Sequence, residues 1–289
     1  MKWRSTLLLL LLMMFAMLNV FSQQSVTYYV SAARGNDANA GNSPAQAFKS
    51  LRRAIAGMRV DGMNTNVTIL VEKGTYYPYD ETGDLSNVAT STFMMYRNEN
   101  FQAGESLRIL GGYDFTTGKR DIVNNPTILD GGSTSGGGVD HVITMGLVDQ
   151  TADSLVIEGF TVTGATQTSL YQLIVVPGKL IISSASGGGL VADYCTNNKI
   201  AIRNCIFNDN EKWIGGAIAL HNSSGVNFQN CVFQGNRAIY DPSIGAAGSG
   251  GVAYFASSEV NLLNCVFYGN SANSSALMFI ANPNQEKSQ

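Results

Sequence analysis

The residues able to do acid–base chemistry are few, because the 289-residue chain is only 13% charged and holds two His. His141 follows Asp140 after Gly136-Gly137-Gly138, and such neighbours could work as acid and base. A turn leading into a strand at 142–145 accounts for the same two residues at least as well. His221 stands alone between Leu220 and Asn222. Glycoside hydrolysis needs two carboxylates on one surface at a defined separation. One route of elimination from an acidic polysaccharide uses an acidic calcium cluster with an Arg or Lys base nearby. The candidates are Glu158, Asp193, Arg203, Asp209, Glu211, Lys212 and Arg237, scattered along the chain with no Asp-Asp pair or Gly-His-Gly among them. They read as solvated turn residues. Asn36, Asp37 and Asn39 are oxygen ligands at close spacing but lack the Glu of a calcium loop, so turn chemistry explains them better. Gly187-Gly188-Gly189 is no phosphate loop, since no Lys or helix follows. No catalytic, cofactor-binding or metal-binding residue is assigned, and no cofactor is expected. Trp213, Tyr240, Tyr254 and Tyr268 lie near turns and could stack on sugars, with Tyr254 expected inward or at a strand edge.

The elements that must position these residues come from one repeat. Residues 200–210 read Ile-Ala-Ile-Arg-Asn-Cys-Ile-Phe-Asn-Asp-Asn, and the frame apolar-x-apolar-x-Asn-Cys-apolar-Phe-x-x-Asn returns at 226–236 and 260–270. A fixed motif at such a period marks a solenoid or similar array. Val260 and Leu262 alternate as on one face of a strand, but the next apolar pair is Cys265 and Phe267, so the parity breaks at Asn264. Asn enters the left-handed region more readily than other side chains, so it can bend a strand within one residue. Strand, Asn bend and strand then face one core, and helical spacing does not fit.

A third apolar run follows each motif: Gly215 to Leu220, Gly250 to Phe255 and, weaker, Ser275 to Ile280, with Ser186 to Val191 one turn earlier. Three short strands per turn of chain define an all-β, right-handed parallel β-helix whose rungs stack about 4.8 Å apart. Asn204, Asn230 and Asn264 should form a side-chain ladder at the bend. Phe207, Phe233 and Phe267 should be buried and stacked, with Cys205, Cys231 and Cys265 beside them. Stacked Cys would sit wider apart than the roughly 3.8 Å between Cβ atoms of a disulfide, so they read as buried thiols. An earlier copy at 155–164 has Gly159 at the bend.

Residues 1–22 read as a signal peptide, with Lys2 and Arg4 ahead of an apolar core at 7–18 and a cut near Gln23. The apolar run nearly reaches spanning length, which makes an uncleaved anchor the rival; after cleavage no membrane span is expected. Residues 23–66 read as an N-terminal cap of a strand and a helix, the latter on Phe48, Leu51, Ile55 and Met58; 67–282 as β-helix; 283–289 as a polar tail. The segment 79–100 reads as a side excursion, and 170–176 with 179–183 as a hairpin about Pro177-Gly178, with an extra rung as the alternative. Net charge is −3 and no basic stripe exists, which disfavours nucleic acid.

At the Gly215-Gly-Ala-Ile strand and the Phe207…Asn210, Phe233…Asn236 and Phe267…Asn270 elements, the chain resembles secreted β-helix proteins with the chlamydial polymorphic outer membrane protein type of repeat, within the pectate-lyase-like β-helix superfamily. Tyr28-Tyr-Val-Ser, Gly35-Asn-Asp and Leu110-Gly-Gly-Tyr-Asp-Phe115 resemble the opening of such proteins in Bacteroidetes-like bacteria. The resemblance implies export to the cell surface or medium and a role in adhesion. The expectation is therefore a cell-surface β-helix, non-catalytic, whose partner is a glycan or a host or cell-surface ligand. The alternatives are a lyase or hydrolase acting on acidic polysaccharide and a purely structural spacer. The short polar tail leaves the last rung uncovered, so end-to-end self-association is expected, or further rungs beyond Gln289.

Overall fold

The computed structural model describes residues 24–57, 65–78, 80–81, 92–96, 106–132, 134, 137–146, 148, 154–166, 173–176, 179–183, 186–196, 199–242, 246–274 and 277–281. The leader, Met58, the Pro177-Gly178 turn and the tail lie outside them. Three parallel sheets wrap one interior, making a right-handed parallel β-helix. The first sheet stacks Gln24–Val30, Thr65–Glu72, Ser106–Asp114, Ser154–Glu158, Ile200–Arg203, Val226–Gln229 and Val260–Leu263. The second stacks Gly74–Tyr76, Thr127–Asp130, Thr161–Thr163, Ile206–Asn208, Val232–Gln234 and Val266–Tyr268. The third stacks Phe93–Tyr96, Ile143–Gly146, Leu190–Asp193, Ile218–His221, Ala253–Ala256 and Met278–Ala281.

Corners are made by residues with positive φ. Between the first and second sheets these are Gly159 (φ 80), Asn204 (50), Asn230 (54) and Asn264 (52). The bend Asn thus hold the backbone conformation their parity break requires, and Gly159 fills the same place. After the second sheet the corner falls to Gly164, Asp209, Gly235 and Gly269; after the third, to Tyr194, Asn222 and Ser257.

Register carries like onto like. Phe207 pairs with Phe233 and Phe233 with Phe267 across neighbouring strands. Their rings stack with centroids 5.1 Å apart at both steps, and Phe228 meets Phe207 and Phe233 edge-on. Cys205 and Cys231 are buried beside them, and all four Cys are unpaired. Phe267 and Cys265 depart from the expected burial: both are only partly covered, and among the described residues their rung has a neighbour on one side. The bend amides form the outer ladder, Asn230 Nδ2 donating to Asn204 Oδ1 at 3.2 Å and Asn264 Nδ2 to Asn230 Oδ1 at 2.8 Å.

An interior ladder accompanies it. Asn210 and Asn236, the last residue of each motif, are fully buried. Asn210 donates its backbone and side-chain N–H to Asn236 Oδ1 at 3.1 and 3.0 Å, and Asn236 does the same to Asn270 Oδ1 at 2.9 and 3.0 Å. Each side chain also bonds a carbonyl one rung earlier, Asn236 to Phe207 at 3.0 Å and Asn270 to Phe233 at 2.8 Å. Buried amides tolerate this position because every polar atom has a repeat-related partner.

Two sequence-based boundaries shift. The strand Gln24–Val30 pairs in register with Thr65–Val71 as part of the first sheet, so it is a rung strand and not a separate cap. The helix Leu51–Gly57 packs Leu51, Ala54 and Ile55 into the core next to it. Within 79–100, Phe93–Tyr96 is a strand of the third sheet paired with Ile143–Gly146, so that stretch is not wholly an excursion. Leu173–Val176 and Lys179–Ser183 do form an antiparallel hairpin.

Removing a stacked ring leaves a cavity that the rigid rungs cannot close. Phe233→Ala should therefore cost about 3–5 kcal/mol in urea unfolding, and Phe267→Ala clearly less. Equal losses would mean the last rung is as well packed as the one before it. At the bend, Asn230→Gly should be tolerated better than Asn230→Val, since Gly accepts φ near 54 and a β-branched residue does not; thermal unfolding of the two variants decides this.

Candidate functional site

Stacking brings together polar residues that the sequence scatters. Lys212 Nζ lies 2.6 Å from Asp140 Oδ1, with the two side chains 0% and 3% exposed. Lys212 is thus not a solvated turn residue: it belongs to a short side sheet of Glu211–Lys212, Arg237–Ala238 and Ser271–Ala272. Burial pulls its pKa below the usual range of Lys, and Asp140 pulls it back. Asp193 is also buried, accepting from Asn222 Nδ2 at 3.3 Å. Glu211 does lie at the surface, 3.5 Å from Arg237, and Arg203 and Asp209 are exposed.

His141, fully buried, sits beside that pair. Its Nδ1 is 2.8 Å from the Gly187 carbonyl, which can only accept, so Nδ1 carries the proton. Nε2 is left as a buried base with no hydrogen-bond partner among the described residues. Burial, helped by the Lys212 charge, holds its pKa well below the ordinary imidazole value. One rung on, Ser186 Oγ is 2.9 Å from His221 Nε2. A hydroxyl on a neutral imidazole is the geometry of an activated nucleophile. Acyl transfer also needs free donors for an oxyanion. Here the Gly187 and Gly188 N–H groups after Ser186 are engaged with Ile214 and Gly216 carbonyls at 3.0 and 3.2 Å, and Ser186 is 2% exposed. The cluster fastens neighbouring rungs.

A cleft of about 490 Å³ opens under the N-terminal helix, lined by Asp37, Lys49, Tyr77, Asp80 and Glu81 among others. Glu81 accepts from the Leu51 and Arg52 amides at 3.1 and 2.9 Å, and Asp37 from those of Lys49 and Ser50 at 2.9 Å each. Asp80 accepts from Thr134 N and Oγ1 at 3.0 and 2.6 Å. Burial pushes the Glu81 carboxyl up to about 7 against the pull of its two amides. These acids tie loops to the solenoid, which is the turn role expected of Asp37.

The outer face of the second sheet is built differently. Ile128, Thr161, Ile206, Val232 and Val266 are aligned by register into one outward row. Asp130, Thr163, Asn208, Gln234 and Tyr268 form a parallel polar row, with Gln234 Nε2 donating to Asn208 Oδ1 at 2.9 Å and Tyr268 bonded to Gln234. The outer Asn ladder flanks the other side. At the Gly159 and Asn204 rungs a groove of about 340 Å³ separates this face from a wall of Ile122 and Val123. The wall is held by Arg120, whose Nε donates to the Gly111 carbonyl and whose guanidinium pairs with Glu158, both at 2.9 Å. A side chain at Gly159 would meet Ile122 at 2.6 Å, so glycine lets the wall sit close. Val123 is 79% exposed and Val266 52%.

Of the aromatics singled out, Trp213 is buried and closed to any sugar. Tyr240 and Tyr268 are exposed. Tyr254, expected inward or at a strand edge, lies on the alternate, outward side of its strand, stacked on Phe279 at 5.7 Å. The interior Asn ladder, the Lys212–Asp140 pair and the Ser186–His221 contact had no assigned role in the sequence. The recurring final Asn of the motif was the one available signal. Asp140 and Ser186 precede third-sheet strands, His221 ends one and Lys212 lies in the side sheet, and only stacking unites them.

A family described as right-handed beta helix region matches residues 179–267. No curated protein matches the chain. Among solved structures, the crystal structure of a GH136 lacto-N-biosidase from Eubacterium ramulus is similar with a TM-score of 0.40 and 13% identity, over 83% of this chain. The chain spans 42% of that protein's length. Right-handed parallel β-helix is thus the fold of this chain.

Burial holds His221 down to about 4 from an ordinary 6.5. As pH falls, the unfolded chain takes up this proton first, so His221 contributes stability at neutral pH that is lost between 6.5 and 4. His221→Gln lacks that uptake. The stability gap between wild type and variant, from urea unfolding, should therefore shrink as pH falls from 7 to 4; a constant gap would show that His221 titrates alike in both states.

Proposed function

We propose that this is an exported β-helix protein of a bacterial cell surface, with polymorphic outer membrane protein-type repeats, that binds glycan without turning it over. The observation carrying the reading is the outer face of the second sheet, where apolar and amide rows run along the solenoid beside an open groove. Alternating apolar and hydrogen-bonding strips suit a ligand whose rings have C–H faces and hydroxyl edges. Export rests on the basic, apolar leader, and the adhesive role on the resemblance in the repeats.

Two observations weigh against catalysis. The cleft acids accept from backbone amides and a threonine, and the amides beside Ser186 are spent on carbonyls. A second reading, hydrolysis or elimination of an acidic polysaccharide, is favoured by Glu81, whose carboxyl at about 7 keeps a proton near neutral pH beside Asp80. Incubation with a glycan panel, followed for both retention and product release, separates the two. Saturable retention with no new reducing ends and no absorbance from unsaturated product is the expected result. Turnover that disappears in Glu81→Gln would establish the enzyme instead.

A further inference from the structure

We propose that the outer face of the second sheet takes a linear, uncharged polysaccharide lying along the solenoid axis, about one sugar to each rung. This rests on the glycan-binding reading and names its ligand class and direction. The first ground is periodicity. Thr161, Ile206, Val232 and Val266 are register partners on successive strands, as are Thr163, Asn208, Gln234 and Tyr268. Parallel strands repeat at roughly 4.8 Å, about the length of one pyranose unit, so a repeating ligand meets a repeating surface.

The second ground is the amide chemistry. Asn230 gives one N–H to Asn204 and accepts one from Asn264. An Asn amide has two donor hydrogens and two acceptor sites, so the ladder spends one of each and leaves one of each toward solvent. Vicinal hydroxyls, each donor and acceptor, match that pair. The ladder also fixes which way each amide points, so little side-chain freedom is lost on binding. Between the amide rows, the β-branched row offers C–H groups to the face of a sugar ring, and the wall of Ile122 and Val123 bounds it on one side.

The third ground is charge. None of the residues in the three rows is Lys or Arg. Arg120, at the wall, is already paired with Glu158. Asp130, in the polar row, accepts from the Gly132 amide at 2.9 Å. A uronic acid polymer would place one carboxylate per sugar against a face with no cation to receive it, on a chain of net charge −3. A neutral polymer meets no such penalty.

The test is calorimetric titration of the exported chain with β-linked neutral hexose oligomers of two to six units, and with uronate oligomers of the same lengths. Affinity for the neutral series should rise with each added sugar to about four units and then level, and uronates should bind at least tenfold more weakly. Ile206→Asp, at an exposed position, should lower affinity at least tenfold with an unchanged melting temperature. Asn230→Gly keeps the bend and removes the amide, so it should weaken binding several-fold. Tighter binding of uronates would overturn the ligand class and leave glycan binding standing. Affinity independent of length would overturn the axial placement. Loss of binding in Tyr77→Ala but not in Ile206→Asp would move the ligand to the cleft under the helix. No binding by any oligomer or by the wider glycan panel would remove the glycan reading together with this one.

Discussion

The constraint on which everything else depends is that each turn of chain must come back to the same three corners in register. A corner made by one residue requires a left-handed backbone, which most side chains resist. Asn204, Asn230 and Asn264 hold one corner with Gly159 standing in for them, while Gly, Asp209, Asn222, Tyr194 and Ser257 share the other two. Once the corners coincide, register places Phe on Phe, Cys on Cys and Asn on Asn, and the core follows.

Stacking also governs the polar residues. A buried amide is costly unless its donors and acceptors are met. In this solenoid the rung above and the rung below meet them, so Asn210 and Asn236 cross the core as a hydrogen-bonded column. The buried Lys212–Asp140 pair is another case. A buried ion pair contributes little net stability over a well-packed apolar pair but punishes the loss of either partner, and this one joins turns two rungs apart. His141 and the Ser186–His221 contact surround it with groups held neutral by burial.

Function must then be sought where the repeat reaches solvent. The interior residues are spent on stacking, and the acids under the helix on holding loops. The fold itself assigns no activity. The outer face of the second sheet repeats along the axis as the core does, with an apolar row between the outer Asn ladder and a polar row.

The sequence by itself determined the fold class. The broken parity at Asn264, repeated at Asn230 and Asn204, required strand, left-handed bend and strand, and the recurring Phe and Cys required parallel stacking in register. These are local facts about backbone and period, and a short motif is enough to encode them. It also pointed to the antiparallel pairing of Leu173–Val176 with Lys179–Ser183. Only the tertiary structure decided which polar residues meet. Lys212 looks like a solvated turn residue because its neighbours Asn210 and Glu211 are polar, yet it pairs with Asp140 two rungs away inside the protein. Ser186 and His221 likewise meet across 35 positions. The excursions between strands vary in length, so spacing along the chain does not report distance between rungs. Likewise Phe267, identical in motif to Phe233, is half-buried among the described residues: burial depends on which rungs flank a residue, and that belongs to the stack and not to the motif.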